Sequence, residues 1–418
     1  MRETLTLQFG SVSNQVADKF WHSCLHELNA DKACIASGGD STMTVRNGRF
    51  APRTVAFCNK GGLSTAQPRS RDAAPSAWDG GVQVIAQEVD DAQTVATPLQ
   101  SRSIVEVHEF RHFDPLNNFY HGIPSMDGTI RRDTMDAAHD AIRAALEECD
   151  SLQGVQCVVD VDSTWGGFAS EVLRGVREEC PSAFVCCLGH DVSYPLATSI
   201  DVFDRSKQNS RRFINLASSV VHLHDLSTLF IPFSPHSHDA GAIAWNSLSS
   251  VYRWPAAASF HDMLFRPNAK IMQLSTSLLT PQALFAMPPL DRVAHWDSST
   301  TFPVFDVVRG SPRKFAFQCV TIRNLSPYTL AGNAGEPFDY WRSITVAKRL
   351  HSPESRPLAG SVASLSITDH VPKYLEHLAV GVKHVDPRVV HEFTQSGMNP
   401  DGIRDLHDDL FRLSDSSL

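Results

Sequence analysis

Residues 4–28 read TLTLQFGSVSNQVADKFWHSCLHEL, and the hydrophobic period changes along this stretch. Apolar and polar residues alternate over 4–9, which is the period of a β-strand. A polar segment follows at 10–14, and apolar residues then recur at helical spacing over 16–28. The stretch therefore predicts a strand, a short polar loop and an amphipathic helix, the order in which nucleotide-binding α/β domains usually begin.

The same order returns in the middle of the chain. The spacing predicts a helix over 137–149, a strand over 156–161, a loop over 162–167, a second helix over 168–176 and a strand over 183–188. Alternating strands and helices of this kind predict a mostly parallel sheet covered by helices.

Composition narrows the class of protein. The 418 residues include 37 Lys and Arg against 46 Asp and Glu, and the net charge of −9 argues against non-specific binding of nucleic acid. The nine cysteines contain no C-x-x-C pair, which predicts reduced thiols in a cytosolic compartment rather than disulfides or a thiolate zinc site. We expect no transmembrane segment and no cleaved leader, because no apolar run is long enough for either.

The loop between the predicted strand and helix reads DVDSTWGG over 160–167. A loop that cradles phosphate needs consecutive free backbone amides, hence glycines, and little negative charge. Here Asp160 and Asp162 add negative charge, and Trp165 fills the position. Asp162 or Ser163 is interpreted as the N-cap of the next helix. The loop has the place of a phosphate site but not its chemistry.

One motif, His108 to His112, fits the metalloprotease pattern H-E-x-x-H, which needs both histidines on one helix face. The residues just before it, 104–107, predict a strand instead, and Asp114-Pro115 blocks a helix soon after. We therefore interpret this motif as a strand that runs into a polar loop.

Two H-x-H-D runs, at 222–225 and 236–239, allow a different metal site. On a strand, alternate histidines point to one face and could share a metal, which would then be held by His222, His224, His236 and His238. Since no further cluster with ligand spacing completes the set, surface or interface histidines are the main interpretation.

Two parts of the chain resemble tubulins, namely residues 1–21 and the segment 148–156 with its continuation at 172–181. The chain is more similar to the Misato family, tubulin-like proteins linked to mitochondrial distribution and inheritance. The segments that carry this likeness, in order, are 50–64, 102–104, 218–223, 239–248, 315–320 and 374–413. It covers most of the chain outside about 65–100.

The resemblance implies the tubulin fold, which is α/β: a Rossmann-type parallel-sheet domain, a core helix, a second mixed α/β domain and carboxyl-terminal helices. The limits expected on this chain are 1–238 for the first domain, 239–253 for the core helix, 254–368 for the second domain and 369–418 for the terminal helices. Within the first domain, an exposed insertion is expected at about 60–102, and only 82–86 of it is strand-like. Within the last part, Asp386 is placed to cap a helix that begins at Pro387, and Gly397 to end it.

The resemblance also implies where a nucleotide would lie. The positions of this degenerate site are Gly10, Ser11, Asn14, Ser163, Thr164, Gly166 and Gly167. Tubulin's phosphate loop is a run of glycines with a threonine and a serine, whereas the matching stretch here is one residue shorter. Ser11 and Val12 stand where tubulin has a glutamine and a cysteine, and only Asp262 matches its hydrolysis loop. These departures predict no GTP turnover, since loss of a single charge-stabilising donor can cost ~10²–10³ in rate.

The sequence therefore predicts a non-enzymatic tubulin-like protein without a cofactor. By resemblance it takes part in mitochondrial distribution, morphology and inheritance, with spindle or microtubule organisation as a further role. The expected partners are tubulin or the cytosolic chaperonin, and the expected location is the cytoplasm, at the surface of the mitochondrial outer membrane. Two alternatives stay open: a divergent GTPase that uses the degenerate site, and a metal-dependent hydrolase built on the H-x-H-D histidines.

Overall fold

The computed structural model describes residues 3–30, 40–46, 49–65, 95–110, 118–124, 130–191, 202–234, 237–253, 260, 270–279, 315–323, 360–368 and 370–417. The strand-like segment predicted at 82–86, His236 and Asp262 lie outside these residues.

A six-stranded parallel sheet forms the centre of the amino-terminal part, and it confirms the predicted α/β class. Its strands, in the order in which they lie side by side, are β10 (Leu229–Phe233), β9 (Phe184–His190), β8 (Leu152–Asp160), β1 (Glu3–Phe9), β4 (Thr54–Asn59) and β7 (Ile104–Val107). In the middle of the sheet Leu7 pairs with Val55 on one side and Cys157 on the other. The central strands are buried except at the first residue of β1 and the first two residues of β8, as expected for a sheet covered on both faces.

Five helices connect or cover these strands: α1 (Ser11–Ala30), α2 (Arg132–Glu147), α3 (Thr164–Glu179), α4 (Val202–Leu226) and α5 (His238–Arg253). Two of the predicted loops are wrong, because α1 begins directly after Gly10 and α3 begins at Thr164. Gly10 makes the turn alone, since its φ of 105° lies in the left-handed region that favours glycine.

Smaller strands flank the sheet. A hairpin is formed by β2 (Met43–Arg46) and β3 (Arg49–Pro52), and a short parallel pair by β5 (Leu63–Thr65) and β6 (Val95–Thr97). Leu63 and Leu99 are buried although both lie inside the insertion that was predicted to be exposed. The two ends of that insertion therefore pack against the core.

The predicted core helix is confirmed as α5, and it is fixed to the amino-terminal part by aromatic and ionic contacts. The Trp245 ring stacks on Phe20 at 4.1 Å, and its Nε1 donates to the Gln156 side chain. At the last turn, Arg253 Nε donates to Asp40 Oδ2 at 2.8 Å, and both side chains are fully buried. A buried charge of this kind needs its partner, so the pair fixes the end of α5 to the residues before β2.

Beyond α5 lies an antiparallel sheet in the order β11 (Gln273–Leu279), β13 (Gly360–Thr368) and β12 (Phe315–Arg323). Three carboxyl-terminal helices follow: α6 (His370–Lys383), α7 (Pro387–Gln395) and α8 (Gly402–Ser416). The capping prediction is confirmed, because the Asp386 carboxylate accepts from the Arg388 amide and Gly397 has a φ of 110°. Within the described part of the chain, none of the helices has both the length and the apolar character to cross a bilayer. The domain limits stay predictions.

Candidate functional site

The candidate site lies at the carboxyl edge of the parallel sheet. Strands β1, β8 and β9 end there at Phe9, Asp160 and His190, and helices α1 and α3 begin there. In open α/β sheets, ligands bind at this edge, next to the first turns of the helices. This geometry is the one that the strand–loop–helix pattern predicts.

Asp160, the last residue of β8, reaches across to the first turn of α1. Its Oδ2 accepts from the Val12 amide at 3.1 Å, and its Oδ1 accepts from the Ser13 amide at 2.8 Å and from Ser13 Oγ at 2.6 Å. The first amides of a helix have no acceptor within the helix and readily bind an anion. Here a carboxylate of the chain itself takes that position.

Gly10 leaves room for this contact. A Cβ at Gly10 would lie 2.2 Å from Asp160 Oδ2, so no other residue fits while the carboxylate is in place. Of the other predicted nucleotide contacts on α1, Ser11 is exposed, whereas Asn14 is buried and donates through Nδ2 to the Phe57 carbonyl at 2.8 Å. Gly10 and Asn14 thus serve contacts within the protein.

The first turn of α3 also finds its hydrogen-bond partner within the protein. Ser163 is the N-cap, because its Oγ accepts from the Trp165 amide at 3.3 Å and donates to the Asp160 carbonyl at 2.9 Å. Of the two caps that the sequence left open, Ser163 is therefore correct. Trp165 is buried and packs edge-on against Phe110, with ring centroids 4.8 Å apart. Thr164 is buried as well, and within the described part of the chain its Oγ1 has no hydrogen-bond partner.

Gly166 and Gly167 allow other elements to approach α3 closely. A Cβ at Gly167 would lie 2.0 Å from the carbonyl oxygen of Phe119, which begins a 3-10 turn that ends at Gly122. A Cβ at Gly166 would lie 2.0 Å from Ser219 Oγ on α4. These glycines were predicted as part of a degenerate phosphate loop, and the structure uses them for packing between α3, α4 and the 3-10 turn.

Buried carboxyl groups lie at this edge of the sheet. Burial raises the pKa of Asp160 to about 6, although the hydrogen bonds from Ser13 and Val12 oppose that change. Burial, followed by the neighbouring charges of Asp191 and Asp160, raises the pKa of Asp162 well above its usual range. A second anion brought here would have to share the site with these carboxyl groups.

Sequence reasoning missed three residues at this edge: His190, Asp191 and Arg212. His190 pairs in register with Asp160, and burial lowers its pKa to about 3, so the ring is neutral. Asp191 follows it and accepts from Arg212 NH2 on α4 at 2.6 Å. The available signal was the pair of polar residues at 190–191, one glycine beyond the strand predicted at 183–188.

The first three residues of the H-E-x-x-H motif, 108–110, lie in a turn directly after β7 (Ile104–Val107), as the interpretation of a strand that runs into a loop predicts. Glu109 Oε1 accepts from Thr134 Oγ1 at 2.7 Å and from the Arg131 amide at 3.2 Å. This carboxylate therefore caps the start of α2. The second half of the motif, 111–112, lies outside the described residues.

The strand geometry considered for the H-x-H-D runs is wrong, because His222 and His224 lie on α4. Residues two apart on a helix do not share a face. His222 packs against the Phe119 ring, and His224 Nδ1 lies 3.1 Å from Asp225 Oδ1. His238 is the first residue of α5. Among the residues that the structure describes, no group of three or more His, Cys, Asp or Glu side chains is arranged to hold a metal.

Comparison with known proteins gives one consistent result. Residues 99–259 match the family model described as a tubulin domain. The chain is similar to Protein DML1 of Gibberella zeae, with 25% identity over 57% of this chain and 54% of that protein. It is also similar to Protein dml-1 of Neurospora crassa (22% identity, 64% and 56%) and to Protein dml1 of Schizosaccharomyces pombe (30% identity, 27% and 23%). The chain spans about half the length of the first of these relatives.

Proposed function

Because the chain is a tubulin-like protein related to the DML1 and Misato proteins, we propose that it acts through protein–protein contacts and does not bind or hydrolyse GTP. The observation that carries the proposal is the carboxylate of Asp160 on the first turn of α1.

A triphosphate does not fit the residues present. Phosphate oxygens would need the amides of Val12 and Ser13, which already donate to Asp160. The first turn of α3 is capped by Ser163 and covered by the 3-10 turn at 119–122. The side chain of Asp162 adds a further carboxyl group to the same edge. Contacts within the protein therefore replace those that a nucleotide would make.

The cellular role rests on the resemblance to Misato. The protein contributes to mitochondrial distribution, morphology and inheritance, with spindle or microtubule organisation as a further role. Its partners are tubulin or the cytosolic chaperonin, and it is a cytoplasmic protein that associates peripherally with the mitochondrial outer membrane.

Recruitment to that membrane is proposed to go through a protein. The net charge of −9 does not favour anionic lipid. The apolar side chains of α8, namely Leu406, Leu410 and Leu413, are buried within the chain and so are not available to lipid.

The experiment is a titration of the purified chain with GTP and Mg²⁺ by calorimetry, with tubulin measured in parallel as the positive control. We expect no binding heat and no release of phosphate. Stoichiometric binding with Mg²⁺-dependent hydrolysis would instead favour the divergent GTPase. The cellular part is tested separately, by depletion of the protein and imaging of mitochondria, where unchanged distribution and inheritance would count against it.

A further inference from the structure

We propose that Asp160 is a permanent internal ligand of α1, which replaces an exchangeable anion by a fixed one and holds the amino-terminal part of the chain in a single state. This inference rests on the proposed function, because it explains why the site takes no nucleotide. It goes further by assigning the exclusion to one side chain.

The contacts of Asp160 are those of a ligand rather than of a local cap. The acceptor comes from the end of β8, and the donors lie 147 and 148 residues earlier in the chain. Both carboxylate oxygens are used, on two successive backbone amides and one hydroxyl. An external anion at a helix N-terminus is bound by the same kind of donors.

His190 gives a second, independent indication that the position is built for an anion. Its side chain is only 2% exposed, and its Nδ1 has no hydrogen-bond partner among the residues that the structure describes. That atom lies 3.9 Å from Asp160 Oδ1. A neutral imidazole can carry its proton on Nδ1 and then donates toward an anion. The amides of Val12 and Ser13, the Ser13 hydroxyl and His190 thus surround the single carboxylate of Asp160.

An internal ligand differs from a bound nucleotide in one physical respect, because it does not dissociate. A ligand that exchanges shifts the populations of two conformations only through its different affinity for them. A covalently attached carboxylate removes that dependence, so the junction of β8 and α1 has the same structure whatever the concentration of nucleotide. The protein would then resemble a tubulin whose nucleotide state never changes.

The test uses the variant Asp160→Ser, which removes the carboxylate and leaves the donors in place. Inorganic phosphate is the probe, and the matched control is Asp162→Asn, which changes a neighbouring buried aspartate whose Oδ1 accepts no hydrogen bond from the described residues. Thermal unfolding is measured in sodium phosphate and in sodium chloride of equal ionic strength. Because phosphate raises the Tm of most proteins, the quantity compared is the gain relative to the wild type.

We expect phosphate to raise the Tm of Asp160→Ser by about 2–4 °C more than that of the wild type or of Asp162→Asn. A folded Asp160→Ser variant with no extra gain would overturn the inference while the proposed function stands. The proposed function is tested separately by the calorimetric titration of the wild type, where stoichiometric binding of GTP would contradict it whatever the phosphate result.

If Asp160→Ser does not fold in either buffer, Asp160→Asn decides the question by amide hydrogen exchange. Among the described residues the amides of Val12 and Ser13 donate to the two oxygens of Asp160. An asparagine side chain offers only one acceptor oxygen, so exchange of at least one of these amides should become faster by about tenfold or more. The Asn14 amide donates to the Gly10 carbonyl and serves as the internal control. Unchanged exchange at Val12 and Ser13 would overturn the inference.

Discussion

Replacing Gly167 by alanine separates two reasons for a glycine in the first turn of α3. If the glycine were there to let phosphate approach, an added methyl group would face empty space in the protein alone. In the structure it faces the backbone, 2.0 Å from the Phe119 carbonyl oxygen. Gly166→Ala is the matched control, because there the nearest atoms belong to the side chain of Ser219: its Oγ at 2.0 Å can rotate away, and its Cβ lies at 3.0 Å.

The size of the effect follows from opposing contributions. Alanine in place of glycine inside a helix stabilises by about 1 kcal/mol. At Gly167 the 3-10 turn must move outward, which costs about 1–3 kcal/mol for overpacking. That movement also strains the bond from the Phe119 amide to Asn215 Oδ1, now 2.8 Å, a loss of about 1 kcal/mol. We therefore expect Gly167→Ala to lower the free energy of unfolding by about 1–3 kcal/mol.

Gly166→Ala should cost less. Rotation of Ser219 breaks its hydrogen bond to the Val161 carbonyl, now 2.6 Å, which costs about 1 kcal/mol. The gain in helix propensity offsets most of this. Unfolding in urea, followed by circular dichroism at constant m-value, gives both free energies of unfolding. If Gly167→Ala is more stable than the wild type, space is free beside α3 and our reasoning about the packing is refuted.

Three further predictions concern buried carboxylates. Folding raises the pKa of Asp160 from 3.8 to about 6, so the folded state binds the proton more tightly than the unfolded state. The free energy of unfolding of the wild type should therefore fall by about 3 kcal/mol relative to that of Asp160→Asn as the pH rises from about 4 to about 6. Urea titrations at several pH values test this, and the same pH dependence of stability in both proteins would contradict it. Asp40→Asn leaves the buried charge of Arg253 poorly paired and should lower the free energy of unfolding by about 3 kcal/mol. The control, Asp239→Asn, breaks an exposed ion pair and should lower it by less than about 1 kcal/mol. Equal losses would show that burial of the pair does not matter here. Glu109→Gln should lower the free energy of unfolding by about 1 kcal/mol, because it weakens the hydrogen bonds that the carboxylate accepts at the start of α2. A chelator should leave the Tm of the wild type unchanged. A fall in Tm on chelation would restore the metal hypothesis.

Sequence periodicity predicted the fold well where the signal is local. The alternation at 4–9 and the helical spacing after it arise from burial against one sheet. Strand β1 and most of α1 can therefore be predicted from the local pattern of apolar residues. The loop predicted at 10–14 was wrong beyond Gly10, because Ser13 and Asn14 are polar yet buried. Their polar atoms bind Asp160 and the Phe57 carbonyl, and such partners are not visible in a local pattern.

The candidate site shows the same division. From the sequence, Asp160 and Asp162 could be recognised as unsuited to a phosphate loop, because charge is a property of each residue. Which of them meets α1 could not be predicted, since the contact depends on the pairing of β1 with β8. The strand geometry considered for the first H-x-H-D run was wrong for a related reason, because a period of two and a helix cannot be told apart from four residues alone.

The most direct test of the central claim is a crystal structure of the wild-type protein grown in the presence of GTP and Mg²⁺. We predict electron density for the Asp160 carboxylate on the amides of Val12 and Ser13, as in the structure described above, and no nucleotide on these amides. Density for phosphate oxygens on the same two amides, with Asp160 turned away, would contradict the account.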